Sequence, residues 1–292
     1  MGQRSAGATS LIAAELSIGF GSSLAGILIP IVGSVVVVAA RQLVTVLILL
    51  PTVRPRLTGK SFKSLLPVIG LGVVLATMNL SFYESLGRIG LGLAVTIEFF
   101  GPLSIALLTS RRFLDFLCVA AVGLGVYLLA DGEKHLDLIG VILAIVAGAS
   151  WACYILLAKT VARRFKGLEG LSMASVISLA ILAPAALALI DWSQLNWWVI
   201  GLLLATGILC SAIPYSLDAF ILRRITARLY SIILSTAPAI AALFGWLVLG
   251  QQLTWLQVFA VILVTLAAAI TFATQKDEGP SSELEGAATV TP

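Results

Sequence analysis

Apolar residues fall in long blocks along this chain, and polar ones collect in the short gaps between them. Blocks of about 18 to 20 residues recur from end to end, each long enough to cross a hydrocarbon core of roughly 30 Å. In lipid every backbone polar group needs a partner within its own segment, so such blocks are predicted as helices. The breaks predict ten spans, at 10–30, 34–51, 65–86, 90–109, 113–130, 138–158, 172–190, 197–220, 228–249 and 254–273. Connections are short and no soluble domain is inserted. The opening MGQRSAGATS leads into a block broken by Glu15 and several glycines, without a convincing cleavage site, and reads as a retained first helix. After Thr274 the chain reads QKDEGPSSELEGAATVTP, a polar sequence expected to be a disordered tail.

Composition excludes a soluble fold. The hydrophobic fraction is 60% and only 11% of residues are charged, with a mean hydropathy of +1.09. A soluble surface must stay largely polar, which these numbers do not allow. The net charge of +4 forms no basic face, so no nucleic-acid partner is expected. Instead the basic residues report orientation. The N-terminus, 52–64, 110–112, 159–171, 221–228 and the tail hold fifteen: Arg4, Arg54, Arg56, Lys60, Lys63, Arg111, Arg112, Lys159, Arg163, Arg164, Lys166, Arg223, Arg224, Arg228 and Lys276. The opposite side holds Arg88 and Lys134, and Arg41 lies within the second span. By the positive-inside rule both termini are cytoplasmic. Cys118, Cys153 and Cys210 have no paired spacing and read as small buried packing residues. With His135 as the single histidine, no metal site is expected, and no cofactor.

The chain also repeats itself. GPLSIALLTSRRFLDFLCVAAVGLGVYLL, from Gly101, lines up with APAIAALFGWLVLGQQLTWLQVFAVILVTLA, from Ala237, each with a proline near mid-span (Pro102, Pro238). Upstream, NLSFYESLGRIG from Asn79 pairs with PYSLDAFILRRI from Pro214. A repeat of five spans has odd parity, so the second copy must be inverted. That arrangement marks secondary transporters, with the binding site at the midplane between the halves. The expected organisation is a cytoplasmic N-terminus at 1–9, one five-helix repeat at 10–130, a second at 138–273 and the tail at 274–292.

These residues resemble the EamA-type units of the drug/metabolite transporter superfamily over nearly the whole chain. IEFFGPLSIALLTSRR (97–112), SWACYILLAK (150–159) and IPYSLDAF (213–220) are similar to the bacterial threonine/homoserine exporter group. The resemblance implies ten helices in a bacterial inner membrane, both termini inside, and export of amino acids or related metabolites driven by the proton gradient. One departure is Gln251, where many members carry an acidic residue after LG in the ninth span, so any role of that acid is expected to be absent.

Charges inside a bilayer are costly and usually face a partner or a watery cavity. Glu15, Arg41, Glu84, Glu98 and Asp218 are the candidates. Glu98 falls mid-helix, where a carboxylate suits exchange between a proton and a cationic substrate group; the plainer reading is a structural ion pair with Arg41. Pro102 frees a backbone carbonyl and Gly101 adds slack, so a local break is expected beside Glu98. Breaks are likewise expected at Pro214 and Pro238. Arg41 is read either as a clamp for a substrate carboxylate or as a tether between helices. Glu15 lies deeper than Glu84 and Asp218, which sit near span ends where a solvated carboxylate costs little. Asn79, Tyr83 and Tyr215 are candidate cavity-lining groups, although tyrosines near span ends equally serve as interfacial anchors. Trp151, Trp192, Trp197, Trp198 and Trp255 fit an aromatic belt. Gly19, Gly21, Gly26, Gly70, Gly72, Gly123 and Gly125 are expected where helices approach closely.

The leading expectation is therefore a carrier working on a small molecule and protons in the bilayer, with a homodimer left open. A drug or other metabolite carrier of the same superfamily is the nearest alternative. A lipid-modifying membrane enzyme would need a catalytic group at an interface, and His135 with Asp131, Glu133 and Asp137 is the one such cluster. That cluster reads more simply as a solvated hairpin.

Overall fold

The computed structural model describes residues 2–55, 62–109, 120–121, 123–125, 127, 137–214, 217, 221 and 225–274. All regular structure among them is helical. The helices are α1 (Gly2–Val32), α2 (Ser34–Val53), α3 (Phe62–Ile89), α4 (Leu91–Glu98), α5 (Phe100–Thr109), α6 (Leu138–Ala162), α7 (Glu169–Leu189), α8 (Trp197–Gly207), α9 (Ala227–Leu234), α10 (Ala237–Leu249) and α11 (Trp255–Thr274). Among the described residues, seven helices are long and apolar enough to cross a membrane, with α9 and α10 counted as one. Two shorter apolar helices cover Leu91–Ile105 and Trp197–Ala212. The span expected over 113–130 lies largely outside the described residues, as do the tail, His135, Cys118 and the loop residues Asp131 and Glu133.

Local chemistry sets the boundaries. Asp137 opens α6 by accepting hydrogen bonds from the amides of Ile139 (2.9 Å) and Gly140 (3.2 Å). Asn196 accepts from Val199 N (3.0 Å) to start α8, and Thr226 from Leu229 N (3.3 Å) to start α9. The turns joining α1 to α2 and α3 to α4 each need one residue at positive φ, supplied by Gly33 (82°) and Gly90 (79°).

The packing is that of a protein solvated by lipid. Large apolar side chains such as Leu47, Ile142 and Leu156 stay exposed, while Glu15, Gln42, Asn79 and several serines are buried. The α3 helix runs along α6 and α7, α2 along α7 and α8, and α1 along α8 and α10. Gly19, Gly21, Gly26, Gly72 and Gly125 sit where an added Cβ would come within 3 Å of another helix, as close packing of small residues requires. At Gly70 the neighbour is 3.6 Å away.

The two ends of the bundle differ. At one end Arg164 donates to the Lys63 carbonyl (3.2 Å), and Val161 and Phe165 pack on Val68. At the opposite end Glu84, Arg88 and Asp137 form two ion pairs, and Trp192, Trp197, Trp198 and Trp255 are exposed. Trp151 departs from the belt: it stacks edge-on against buried Phe99, with centroids 5.9 Å apart. Cys153, expected to be buried, is exposed on α6. Glu84 is accounted for structurally, accepting from the Ser34 hydroxyl and pairing with Arg88 at 3.2 Å.

Two helices break in matching ways. The α4 helix runs eight residues to Glu98, turns at Phe99 and resumes as α5, which carries Gly101 and Pro102. The α9 helix also runs eight residues, to Leu234, turns at Ser235 and Thr236, and resumes as α10 with Pro238. Each proline stands eleven residues after the first residue of its short helix, from 91 to 102 and from 227 to 238. A proline has no N–H to give the carbonyl four residues back, and the chain bends at both places.

Candidate functional site

The third expected break, at Pro214, builds the chemical centre. After α8 the helix widens into one π turn, Ile208–Ala212. Single π turns inside helices recur at functional sites. Here the cause is local: Pro214 cannot donate to Cys210 O in α register or to Leu209 O in π register. Both carbonyls would be costly orphans in an apolar interior. Side chains from other helices take them: Ser17 of α1 donates to Leu209 O (2.7 Å), and Arg41 of α2 donates through Nη2 to Cys210 O (3.1 Å).

Arg41 is the hub. Its Nη1 donates to Asn79 Oδ1 (2.7 Å) and Tyr83 Oη (3.3 Å) on α3, and its Nε to Ser211 Oγ (3.2 Å). The guanidinium also lies over the Tyr83 ring, 5.7 Å from its centroid. Asn79 is fixed by donating to Leu75 O (2.8 Å), and Tyr83 donates to Cys210 Sγ (3.7 Å). The Cys210 thiol in turn donates to Ile18 O (3.7 Å), with Ser22 Oγ 3.8 Å from its sulfur. Asn79, Tyr83, Cys210 and Ser211 are all buried. Gly21 admits this arrangement, since a Cβ there would meet the chain at Leu209 within 2.9 Å. The result is a buried polar knot tying α1, α2 and α3 to the π turn.

Glu98 lies at the α4–α5 break, partly buried. The charge it senses is that of Arg41, but among the described residues no salt bridge within 4 Å joins them. The plainer of the two readings of Glu98, a structural ion pair with Arg41, is therefore not seen at salt-bridge distance. The Glu98 carbonyl, which Pro102 leaves without its helical donor, lies against α6 at Gly148, where a Cβ would approach it to 2.7 Å. Glu15 is buried on α1, about one turn nearer the N-terminus than Ile18 and about two turns nearer than Ser22. Tyr215 and Asp218 lie outside the described residues.

Of the sequence candidates, the structure thus brings together Arg41, Asn79 and Tyr83, and places Pro214 next to them. Ser17, Ser22, Cys210 and Ser211 were missed. The available signal was Pro214 itself, because the carbonyl four residues before a buried proline needs a foreign donor. A cavity of about 360 Å³ lies elsewhere, at the α1–α2 turn against Leu189 and Asp191. Its one charged group, Asp191, is engaged by its own turn through Ser193 N (3.0 Å), so the chemistry stays with Arg41.

The geometry describes a polar site inside a lipid-solvated bundle, and relatives show what kind of protein carries it. A family model for EamA-like transporters matches residues 138–273. The threonine/homoserine exporter RhtA of Escherichia coli (strain K12) is 37% identical over 278 residues, covering 94% of each chain. The chain belongs to the EamA-like transporter family. RhtA of Salmonella typhimurium (strain LT2) is 36% identical over 260 residues, 88% of each chain, and an uncharacterized transporter of Synechocystis is 28% identical over 69% of this chain and 65% of its own. A crystal structure at 19% identity shares the fold, with a TM-score of 0.63 over 93% of this chain and 98% of that one. This EamA-family protein is accordingly a multi-pass membrane protein, as its apolar helices require.

Proposed function

We propose that this protein is a secondary carrier that exports small amino acids of the threonine and homoserine kind in exchange for protons, through a site between Arg41 and Glu98. The observation that carries this reading is the buried polar knot around Arg41. A guanidinium held by the side chains of Asn79, Tyr83 and Ser211 and by one backbone carbonyl can exchange those neutral acceptors for a substrate carboxylate, which binds it more strongly through charge-assisted pairs. Glu98 lies within electrostatic reach of Arg41 but beyond salt-bridge distance, and in this reading it faces the ammonium end of the zwitterion. The same carboxylate carries the exchanged proton. The 37% identity to exporters of threonine and homoserine supports the substrate class.

In this reading the chain forms ten helices as two inverted five-helix repeats with both termini cytoplasmic. Support comes from the matched breaks before Pro102 and Pro238, and from the position of Arg41 between α3 and α8, the third helix of each half. The decisive experiment is uptake of labelled threonine or homoserine into everted membrane vesicles, with and without an imposed proton gradient. Gradient-dependent accumulation is expected, and Glu98→Gln should abolish it while the protein still inserts and folds. A folded parent that accumulates neither amino acid overturns the substrate class. Unchanged pH-dependent uptake by the Glu98→Gln variant removes Glu98 from the mechanism.

A further inference from the structure

The α3–α4 turn, residues 88–91, is gripped from two sides by the second half of the chain. On one side Arg88 reaches Asp137 Oδ2 (3.1 Å) at the start of α6. Gly140 lies so close beneath that a Cβ there would come within 2.9 Å of Arg88 Cβ. On the other side Gln251, just past the end of α10, accepts a hydrogen bond from Leu91 N (3.2 Å). Its side chain fills the space between Gly90 and Gly245, where an added Cβ would lie 3.1 and 2.6 Å from it. The side-chain oxygen wanted at this position is thus supplied by an amide.

What this turn carries is α4, eight residues and on the order of 12 Å long. Its far end is Glu98, followed by the break, and its last carbonyl rests on Gly148 of α6. The α4 helix is therefore a short rod whose body is buried against α6 and α10, with a two-sided catch at one end and a glycine crossing under the other. The Arg88 side of the catch is weak, because both partners are more than a third exposed and water screens them. The Gln251 side is partly buried and closely packed. One screened ion pair and one hydrogen bond make a modest latch beside the buried contacts of α4, so they set how readily its first turn comes away.

We propose that α4 is the gate helix of the bundle end opposite the basic loops. Gln251 and the Arg88–Asp137 pair latch its first turn shut, and it swings about the Gly101–Gly148 crossing, so that opening this end also moves Glu98. The inference concerns access to the site and holds whatever the substrate is.

Accessibility of Cys210, buried beside Arg41, reports on the gate. With Cys118 and Cys153 replaced by serine it is the sole thiol of the full chain. A membrane-impermeant maleimide is applied to right-side-out and to everted vesicles, with the face bearing the basic loops identified by trypsin cleavage. Arg88→Ala combined with Gln251→Ala should raise the labelling rate about tenfold from the opposite face only. Gln251→Glu, which keeps an acceptor oxygen, should label like the parent. The single Arg88→Ala variant, at an exposed position where misfolding is not at issue, should show a smaller rise from the same face. Faster labelling from both faces would mean general loosening, and an unchanged rate from both would mean no gate; either overturns the proposal. Because no transported substrate enters the assay, failure of amino-acid export leaves it intact.

Discussion

Arg41 is held where it is because Pro214 leaves a carbonyl without a donor, and that dependence can be measured. Replacing Arg41 with Ala strips the donors from Asn79 Oδ1, Ser211 Oγ and, above all, Cys210 O. A buried acceptor left unsatisfied costs about 1–3 kcal/mol, and hydrogen bonds from a charged donor contribute about 1.5–3 kcal/mol. The Arg41→Ala variant should therefore lose about 2–4 kcal/mol of stability, since the hydroxyl and amide partly rearrange while the carbonyl cannot. Pro214→Ala restores an N–H at the one place that can serve Cys210 O or Leu209 O. It removes a helix penalty of about 3 kcal/mol, offset by competition with two side-chain hydrogen bonds of about 1 kcal/mol each and by a small cavity. Its own stability should stay within about 1 kcal/mol of the parent, while export falls as Arg41 loses its anchor.

The decisive quantity is the double variant. In the Pro214→Ala background, Arg41→Ala no longer orphans Cys210 O, so its cost should shrink by about 1–2 kcal/mol. Denaturant or thermal unfolding in detergent, read by tryptophan fluorescence, gives the four stabilities of the cycle. Additivity within about 0.5 kcal/mol would refute the idea that Arg41 serves the carbonyl released by Pro214.

Two further outcomes follow from particular contacts. Gly148→Ala places a methyl group 2.7 Å from the Glu98 carbonyl, backbone that cannot give way within a helix, so it should cost about 1–3 kcal/mol and slow uptake; a variant with parental melting temperature and uptake would show that α4 and α6 are not in contact there. The Asp137 carboxyl is held below its usual range, first by the hydrogen bond from Arg88, then by the amides of Gly140 and Ile139. A lowered value means that the pairing is complete above the ordinary carboxylate value of about 4 and is lost as pH falls through the lower one. The ratio of Cys210 labelling rates between Asp137→Asn and the parent should thus be flat from about pH 8 to 5 and approach one in stronger acid. A ratio that changes between about pH 8 and 6 would place control of the catch in another group.

Much of the architecture is legible in the linear pattern. Runs such as 34–51 and 138–158 state their own length and apolarity, and in lipid these leave the backbone no option but a helix. The breaks at Pro102, Pro214 and Pro238 are equally local, because a missing N–H belongs to the residue and needs no partner to act. The expensive charges Arg41 and Glu98 also stand out against their surroundings, whatever the fold. What no single helix contains is the identity of the group that answers each defect. That Arg41 and Ser17 answer Pro214, that Gly148 lies under the Glu98 carbonyl, and that Gln251 reaches Leu91 N are pairings across 50 to 197 positions. They depend on which faces of the bundle meet. Cys210 looks like any small packing residue until the π turn aims its carbonyl at α2, and Arg41 and Glu98 look like an ion pair until packing separates them beyond salt-bridge distance. Sequence determined the helices and their flaws, because both arise from each residue and its immediate neighbours. Tertiary structure decided which side chain repairs each flaw, because a buried polar group accepts whatever partner the packing of apolar helices brings within about 3 Å.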